Sequence, residues 1–255
     1  MAGPKITLYL DVVSPFAYIA YYVLRVSAAV SFRMIARQSK TISFFLGSVY
    51  ASDQSDKYQK NSPTFARCDI NYVPIFLGGL MHACNNRAPI QIKNKDKWID
   101  KERLRWCRYF SIPMVESTPE GFPPLTLATQ RALCAISLKW PDKFIPVTDA
   151  LYHSFWVEGN AKIGQPEGFL PVLERVLGKD GAEEVFKAST LPDVKERLVS
   201  NTSQALKSGA FGIPWFECTN TLGETEGFWG VDHLGQVADF LGLERSLDKG
   251  FRASL

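Results

Sequence analysis

At 255 residues and 28.6 kDa the chain has room for one large domain, or for one domain carrying a substantial insertion. Hydrophobic residues make up 46% and charged residues 22%, which excludes a disordered chain; 29 Lys+Arg against 26 Asp+Glu leave +3, scattered, which excludes an electrostatic nucleic-acid binder. Five cysteines (Cys68, Cys84, Cys107, Cys134, Cys218), none two residues from another, indicate a reducing compartment, with neither a disulfide framework nor a zinc or other metal site.

The chain opens as strand, turn, helix. Residues 5–13 are rich in β-branched and large apolar types, as a buried strand requires. Ser14-Pro15 supplies an N-cap and the residue favoured at the first helical position, and residues 16–25 continue as an apolar helix. A second strand is expected at 68–74, ending before Gly78-Gly79. From about residue 96 the period turns helical. Helices are expected over 97–109, 125–140, 143–158, 168–177, 181–188 and 193–208, with Gly and Pro between them. Residues 214–219 and 227–229 then read as strands, and 232–241 as a last helix. The apolar stretches 7–25 and 42–51 are too short, or are broken by Asp11 and Pro15, so no transmembrane helix is expected. Residues 1–13 lack the basic start, apolar centre and cleavage site of a signal peptide.

Residues 26–60 fit this order badly, being Ser-rich with two Phe-rich patches and no clean period. Deleting them joins Arg25 to Asn61 and leaves an ordinary loop. The segment reads either as a surface insertion or as translated intron sequence, since Val26-Ser27 is compatible with a donor-like GTAAGT and Lys60 with a codon ending in AG.

Two short motifs bear on chemistry. Ser14 stands where a strand end meets a helix N-terminus, a place where unpaired N–H groups and the helix dipole favour an anion such as a thiolate. Its hydroxyl adds a donor to the charged form; the plainer reading is an N-cap. Gly209-Ala-Phe-Gly-Ile213-Pro214 offers a candidate cis peptide at a strand entrance, leaving the Ile213 N–H and C=O for an extended peptide ligand; alternatively Pro214 is only a strand-entry proline.

Together, Asp11-Val-Val-Ser14-Pro15-Phe16-Ala-Tyr18 and Gly209-Ala-Phe-Gly-Ile213-Pro214 resemble the kappa class of glutathione transferases, over nearly the whole chain except residues 26–60. That class is related to the 2-hydroxychromene-2-carboxylate isomerases and the DsbA-type oxidoreductases. The resemblance implies an α/β fold: a thioredoxin-like domain of DsbA type (residues 1–92 and 208–255) with an inserted all-helical domain (93–207). It implies glutathione as co-substrate. By position Ser14 contacts the sulfur and stabilises its thiolate, with Pro15 and Phe16 lining the same turn. After the second strand the family has a Gly-containing loop leading to a glutathione-binding asparagine, matched by Pro74-Ile-Phe-Leu-Gly-Gly79-Leu-Met-His-Ala-Cys-Asn-Asn86, which assigns that role to Asn86 unless it is a plain loop residue. Ile213, before Pro214, inherits the backbone pairing with the cysteinyl part. Gly230-Val231-Asp232 stands where the family has a Gly-Ser-Asp-like turn holding the γ-glutamyl end. Val231 retains only its backbone N–H there, and Asp232 contacts the ammonium or else caps the last helix.

Where a DsbA-like enzyme has Cys-x-x-Cys, this chain has Ser14-Pro15-Phe16-Ala17, which speaks against thiol-disulfide exchange by the protein itself. The resemblance therefore implies a transferase in which the thiolate attacks an electrophilic carbon or a peroxide. Its alternatives are a glutathione-dependent isomerase and a catalytically silent glutathione-binding protein. The class implies a detoxifying, intracellular homodimer, in mitochondrion, peroxisome or cytosol; the final Ala253-Ser254-Leu255 only loosely resembles a peroxisomal ending. No membrane or nucleic-acid partner is expected. His82, His153 and His233 share no metal-ligand spacing and are read as structural. The charge run 93–108 reads as the solvated face of a helix; Trp98 and Trp106 on it read as core residues, although they resemble family positions near the second-substrate pocket.

Overall fold

The computed structural model describes residues 3–25 and 64–244. The segment 26–60 and the C-terminal tripeptide lie outside them, so the expectations placed there do too. A four-stranded mixed sheet has the order β2-β1-β3-β4, with β1 Lys5–Leu10, β2 Asp69–Pro74, β3 Trp215–Thr219 and β4 Thr225–Trp229. β1 is parallel to β2 and antiparallel to β3, and β3 is antiparallel to β4. As a central strand β1 is buried almost throughout, which accounts for its run of large apolar residues. β4 at the edge is mostly exposed, with Phe228 buried.

Helix α1 (residues 15–25) leaves the end of β1. After β2 come α2 (Leu77–Ala83), α3 (Lys95–Phe110), α4 (Leu127–Lys139), α5 (Pro141–Trp156), α6 (Pro166–Ser189) and α7 (Pro192–Lys207). A short 3-10 turn, Val231–His233, then leads into α8 (Leu234–Phe240). Helices α4, α5 and α6 pack on one another, and α7 spans from α4 to α2 and β2. Buried side chains from sheet and helices form one continuous core. Polar contacts stitch the two layers together: Trp156 Nε1 donates to the Val12 carbonyl at 2.9 Å, Asn201 Nδ2 to the Pro74 carbonyl at 2.9 Å, and the Tyr18 hydroxyl to the Pro113 carbonyl at 2.9 Å.

The expected helices are present, with boundary differences that have one main cause. Four helices begin on a proline: α1 at residue 15, α5 at Pro141, α6 at Pro166 and α7 at Pro192. Proline is suited to the first helical position because its missing N–H would be unpaired there anyway, so α5 to α7 start one or two residues before the periodicity becomes visible. The stretches 168–177 and 181–188 form the two parts of α6, broken at Gly178, whose φ of 75° and ψ of 167° are not helical.

Three expectations are corrected. The Gly78-Gly79 segment is helix α2 rather than a loop, because the Leu77 N–H at its start donates to Asp11 Oδ2 at 2.9 Å, a cap supplied from 66 residues away. The charge run is not wholly solvated. Arg103 is fully buried, pairing with Asp100 at 3.0 Å and donating to the carbonyls of Val115 and Glu116, which fasten the segment after α3. Trp98 is half exposed rather than core; Trp106 stacks on Phe110 with ring centroids 5.8 Å apart.

Candidate active site

The β1–α1 junction is built around a buried carboxylate. Asp11, at the end of β1, is fully inaccessible. Its Oδ1 accepts from the Val13 N–H at 3.2 Å, the Thr126 hydroxyl at 2.7 Å and Gln130 Nε2 at 2.9 Å; its Oδ2 accepts from the Leu77 N–H. Its carbonyl accepts from the Ser14 N–H at 3.1 Å. The carboxyl thus ties together the turn leading to Ser14, the start of α2 and the first turn of α4. Burial holds it above the usual carboxylate range, against the opposing pull of these donors.

Ser14 is 6% exposed. Its Oγ accepts from the Ala17 N–H at 3.1 Å and its carbonyl accepts from the Tyr18 N–H at 3.0 Å, so Ser14 caps α1. As an acceptor in that bond it keeps its own O–H, and among the described residues this proton has no acceptor. Pro15 is buried, and Phe16 is partly exposed beside it.

The Ile213-Pro214 bond is cis. The β1–β3 register sets Tyr9 opposite Trp215, so this bond lies at the end of the sheet from which the Ser14 turn departs. Ile213 is buried as a side chain, and among the described residues neither its N–H nor its C=O makes a hydrogen bond. Two contacts gather further segments around it. The Gly230 N–H donates to the Pro214 carbonyl at 3.0 Å, placing Gly230-Val231-Asp232 alongside. Asn86 Nδ2 donates to the Phe211 carbonyl at 2.7 Å, tying the segment after α2 to the loop before the cis bond.

The structure adds detail at these positions. The Asn86 amide is already engaged, its Oδ1 accepting from the Arg87 N–H at 2.8 Å as well. Asp232 does not cap the last helix: α8 starts at Leu234, after His233, without a side-chain cap. Its carboxylate stands exposed, 3.4 Å from His233 Nδ1. Gly230 adopts a φ of 92°, a left-handed conformation that favours glycine. Val231 is buried. Asp11 was missed as an organising residue; the signal available was an acidic residue inside an otherwise apolar strand.

All five cysteines are free. Burial pushes the Cys68, Cys107 and Cys134 thiols up to about 12 and Cys218 higher still, so none of these four is a ready nucleophile at neutral pH. Among the described residues no group of three or more His, Cys, Asp or Glu could hold a metal ion, and no helix is long and apolar enough to cross a membrane.

The sequence matches the DSBA-like thioredoxin domain over residues 5–242. Glutathione S-transferase kappa 2 of Caenorhabditis elegans is 31% identical over 179 residues, covering 68% of this chain and 78% of that protein. Glutathione S-transferase kappa 1 of the same organism is 24% identical over 247 residues, 93% of this chain and 91% of that protein. Among solved structures, a 2-hydroxychromene-2-carboxylate isomerase superposes with a TM-score of 0.62 at 19% identity, covering 93% of this chain and 94% of that one.

Proposed function

The chain belongs to the DSBA-like thioredoxin family and, within it, to the family of the kappa-class glutathione S-transferases, and from that premise we propose that it is a glutathione transferase using Ser14 to hold the glutathione sulfur as a thiolate. The observation that supports this reading best is the Ser14 turn. A buried hydroxyl with a proton to donate stands at the N-terminus of α1, where the helix dipole also favours negative charge. Both influences lower a bound thiol's pKa from its free value near ~8.5.

In this reading residues 1–92 and 208–255 form the glutathione-binding domain and 93–207 the helical domain that covers the electrophile. Ile213 pairs through its backbone with the cysteinyl part of the tripeptide, as an added strand pairs with a sheet edge. Pro15, Phe16 and Pro214 line the sulfur's surroundings. The Val231 N–H and the Asp232 carboxylate take the γ-glutamyl end, the first as donor to the carboxylate and the second as partner of the ammonium. Asn86 contributes by holding the loop at Phe211 and through any remaining capacity of its amide. The thiolate then attacks an electrophilic carbon: the S–C bond forms and the leaving group departs with its electron pair. The five thiols of the protein take no part, in keeping with Ala17 where a redox relative has its second cysteine. The assembly proposed with this function is a homodimer.

The test is the ultraviolet thiolate absorbance of glutathione titrated into the protein across pH, wild type beside Ser14→Ala. Thiolate is expected well below the free thiol's pKa in the wild type, and shifted back toward it in the variant. Loss of the cap also lowers stability by about 1 kcal/mol, so melting curves accompany the titration. Identical thiolate titrations in a folded variant remove Ser14 from the mechanism, and absence of glutathione binding by the wild type removes the function.

A further inference from the structure

Helices α2, α4 and α7 line an apolar groove of about 260 Å³. Phe76 and Ala83 contribute from the α2 side, Leu127 from α4, and Leu198, Val199 and Leu206 from α7. Val199 is 65% exposed, so apolar surface continues to the groove's rim. Two cations line the same groove, Arg131 on α4 and Lys195 on α7. Among the described residues neither side chain has an acidic partner, and Arg131 Nε is shielded from solvent without a hydrogen-bond partner. A buried, unpaired guanidinium N–H is costly, and such groups in folded proteins ordinarily meet an acceptor. On the same lining, Thr202 Oγ1 donates to the Leu198 carbonyl at 2.8 Å and accepts from the Phe76 N–H at 3.1 Å, bonds that hold it within the protein. The Ser203 hydroxyl remains on the lining.

We propose that this groove binds a small amphipathic anion, a medium-chain carboxylate, with its head on Arg131 and Lys195 and its tail between α2 and α7. An apolar lining with a few convergent polar groups is the usual makeup of a small-molecule site. A guanidinium takes a carboxylate in paired, charge-assisted hydrogen bonds that a neutral head cannot form. The size is also suited, since 260 Å³ holds eight or nine groups of roughly 30 Å³, the share of one water and close to that of one methylene. Nothing here involves glutathione, so the site stands or falls apart from the function proposed above.

The experiment is calorimetric titration of the full chain with octanoate, with octylamine and octanol as probes of the head group. Saturable one-to-one binding of octanoate, with much weaker binding of octylamine and octanol, is the expected result. Arg131→Met is expected to weaken octanoate about tenfold or more, the worth of a charged hydrogen bond. Should that variant fold poorly, Lys195→Met on the exposed face of α7 replaces it, with a smaller loss of the same sign. No saturable binding, equal binding of octylamine, or octanoate affinity unchanged in both variants overturns the proposal. So does a sedimenting dimer that Val199→Glu converts to monomer, because the groove is then covered by a second copy of the chain.

Discussion

Asp11→Asn is the most informative single perturbation, because the substitution keeps shape while exchanging one acceptor oxygen for a donor NH2 and removing the titrating charge. Asp11 Oδ1 receives three donors and Oδ2 one, the Leu77 N–H. An asparagine best keeps its carbonyl oxygen on the three-donor side, which turns its NH2 toward the Leu77 N–H and leaves two donors facing each other. One orphaned donor at the start of α2 costs about 1–3 kcal/mol, and for a chain of this size that lowers the melting temperature by about 2–4 °C per kcal/mol. The cost depends on pH with a definite sign. Burial raises the folded carboxyl's pKa above the unfolded value near ~3.9, so across that interval the folded protein binds more protons than the unfolded chain. Wild-type stability therefore falls as pH rises from about 3.9 through the raised value, and the asparagine variant lacks that fall. Gln130 can accommodate the protonated form, since its Oε1 is buried without a partner and a turned amide presents it to the Asp11 proton. Urea denaturation of both proteins from about pH 4 to about pH 7 measures the difference. The variant's deficit is expected to be largest at the acid end and to shrink toward neutrality. A deficit below about 0.5 kcal/mol throughout, the level of an ordinary surface change, refutes the network. A deficit that grows with pH refutes the dominance of burial in setting this carboxyl's titration.

Arg103→Met removes the donors that hold the Val115 and Glu116 carbonyls; each hydrogen bond to a charged group is worth about 1.5–3 kcal/mol, and relief of the buried charge returns part, for a net loss of about 2–4 kcal/mol. A lower urea midpoint at unchanged slope checks it, and an unchanged midpoint counts against the bonds. Gly168→Ala places a Cβ 1.9 Å from the Lys162 carbonyl oxygen, which is backbone and cannot swing away; a loss of about 3 kcal/mol or more is expected in thermal melts, and a neutral result contradicts the packing. A thiol at about 12 is ionised only to about one part in 10⁵ at pH 7. Native-state alkylation followed by mass spectrometry should therefore leave Cys68, Cys107, Cys134 and Cys218 largely unmodified until the protein unfolds. Rapid labelling of these four at neutral pH argues against their burial.

The chemical character of the candidate site was legible because short-range rules govern its parts. A strand running into Ser14-Pro15 specifies a capped helix start, and Gly209 to Pro214 specifies a turn into a strand, whatever surrounds them. The same locality made the long helices readable, with starts blurred only by prolines that the periodicity does not register. The positions of Asn86 and Asp232 were legible only through the family resemblance, and the hydrogen-bonding of each became clear in three dimensions.

What the sequence by itself determined is therefore the order and kind of most elements, and the residue types at the Ser14 turn. The tertiary structure decided what depends on partners distant in the chain. Leu77–Ala83 has two glycines at its start and no local cap, and is helical because Asp11 supplies an acceptor to its first N–H. Arg103 sits in a strongly charged run and is buried because two carbonyls after α3 need donors. A residue's own neighbours fix its backbone preference, whereas hydrogen-bond satisfaction and burial are settled only when the sheet and helices close around it.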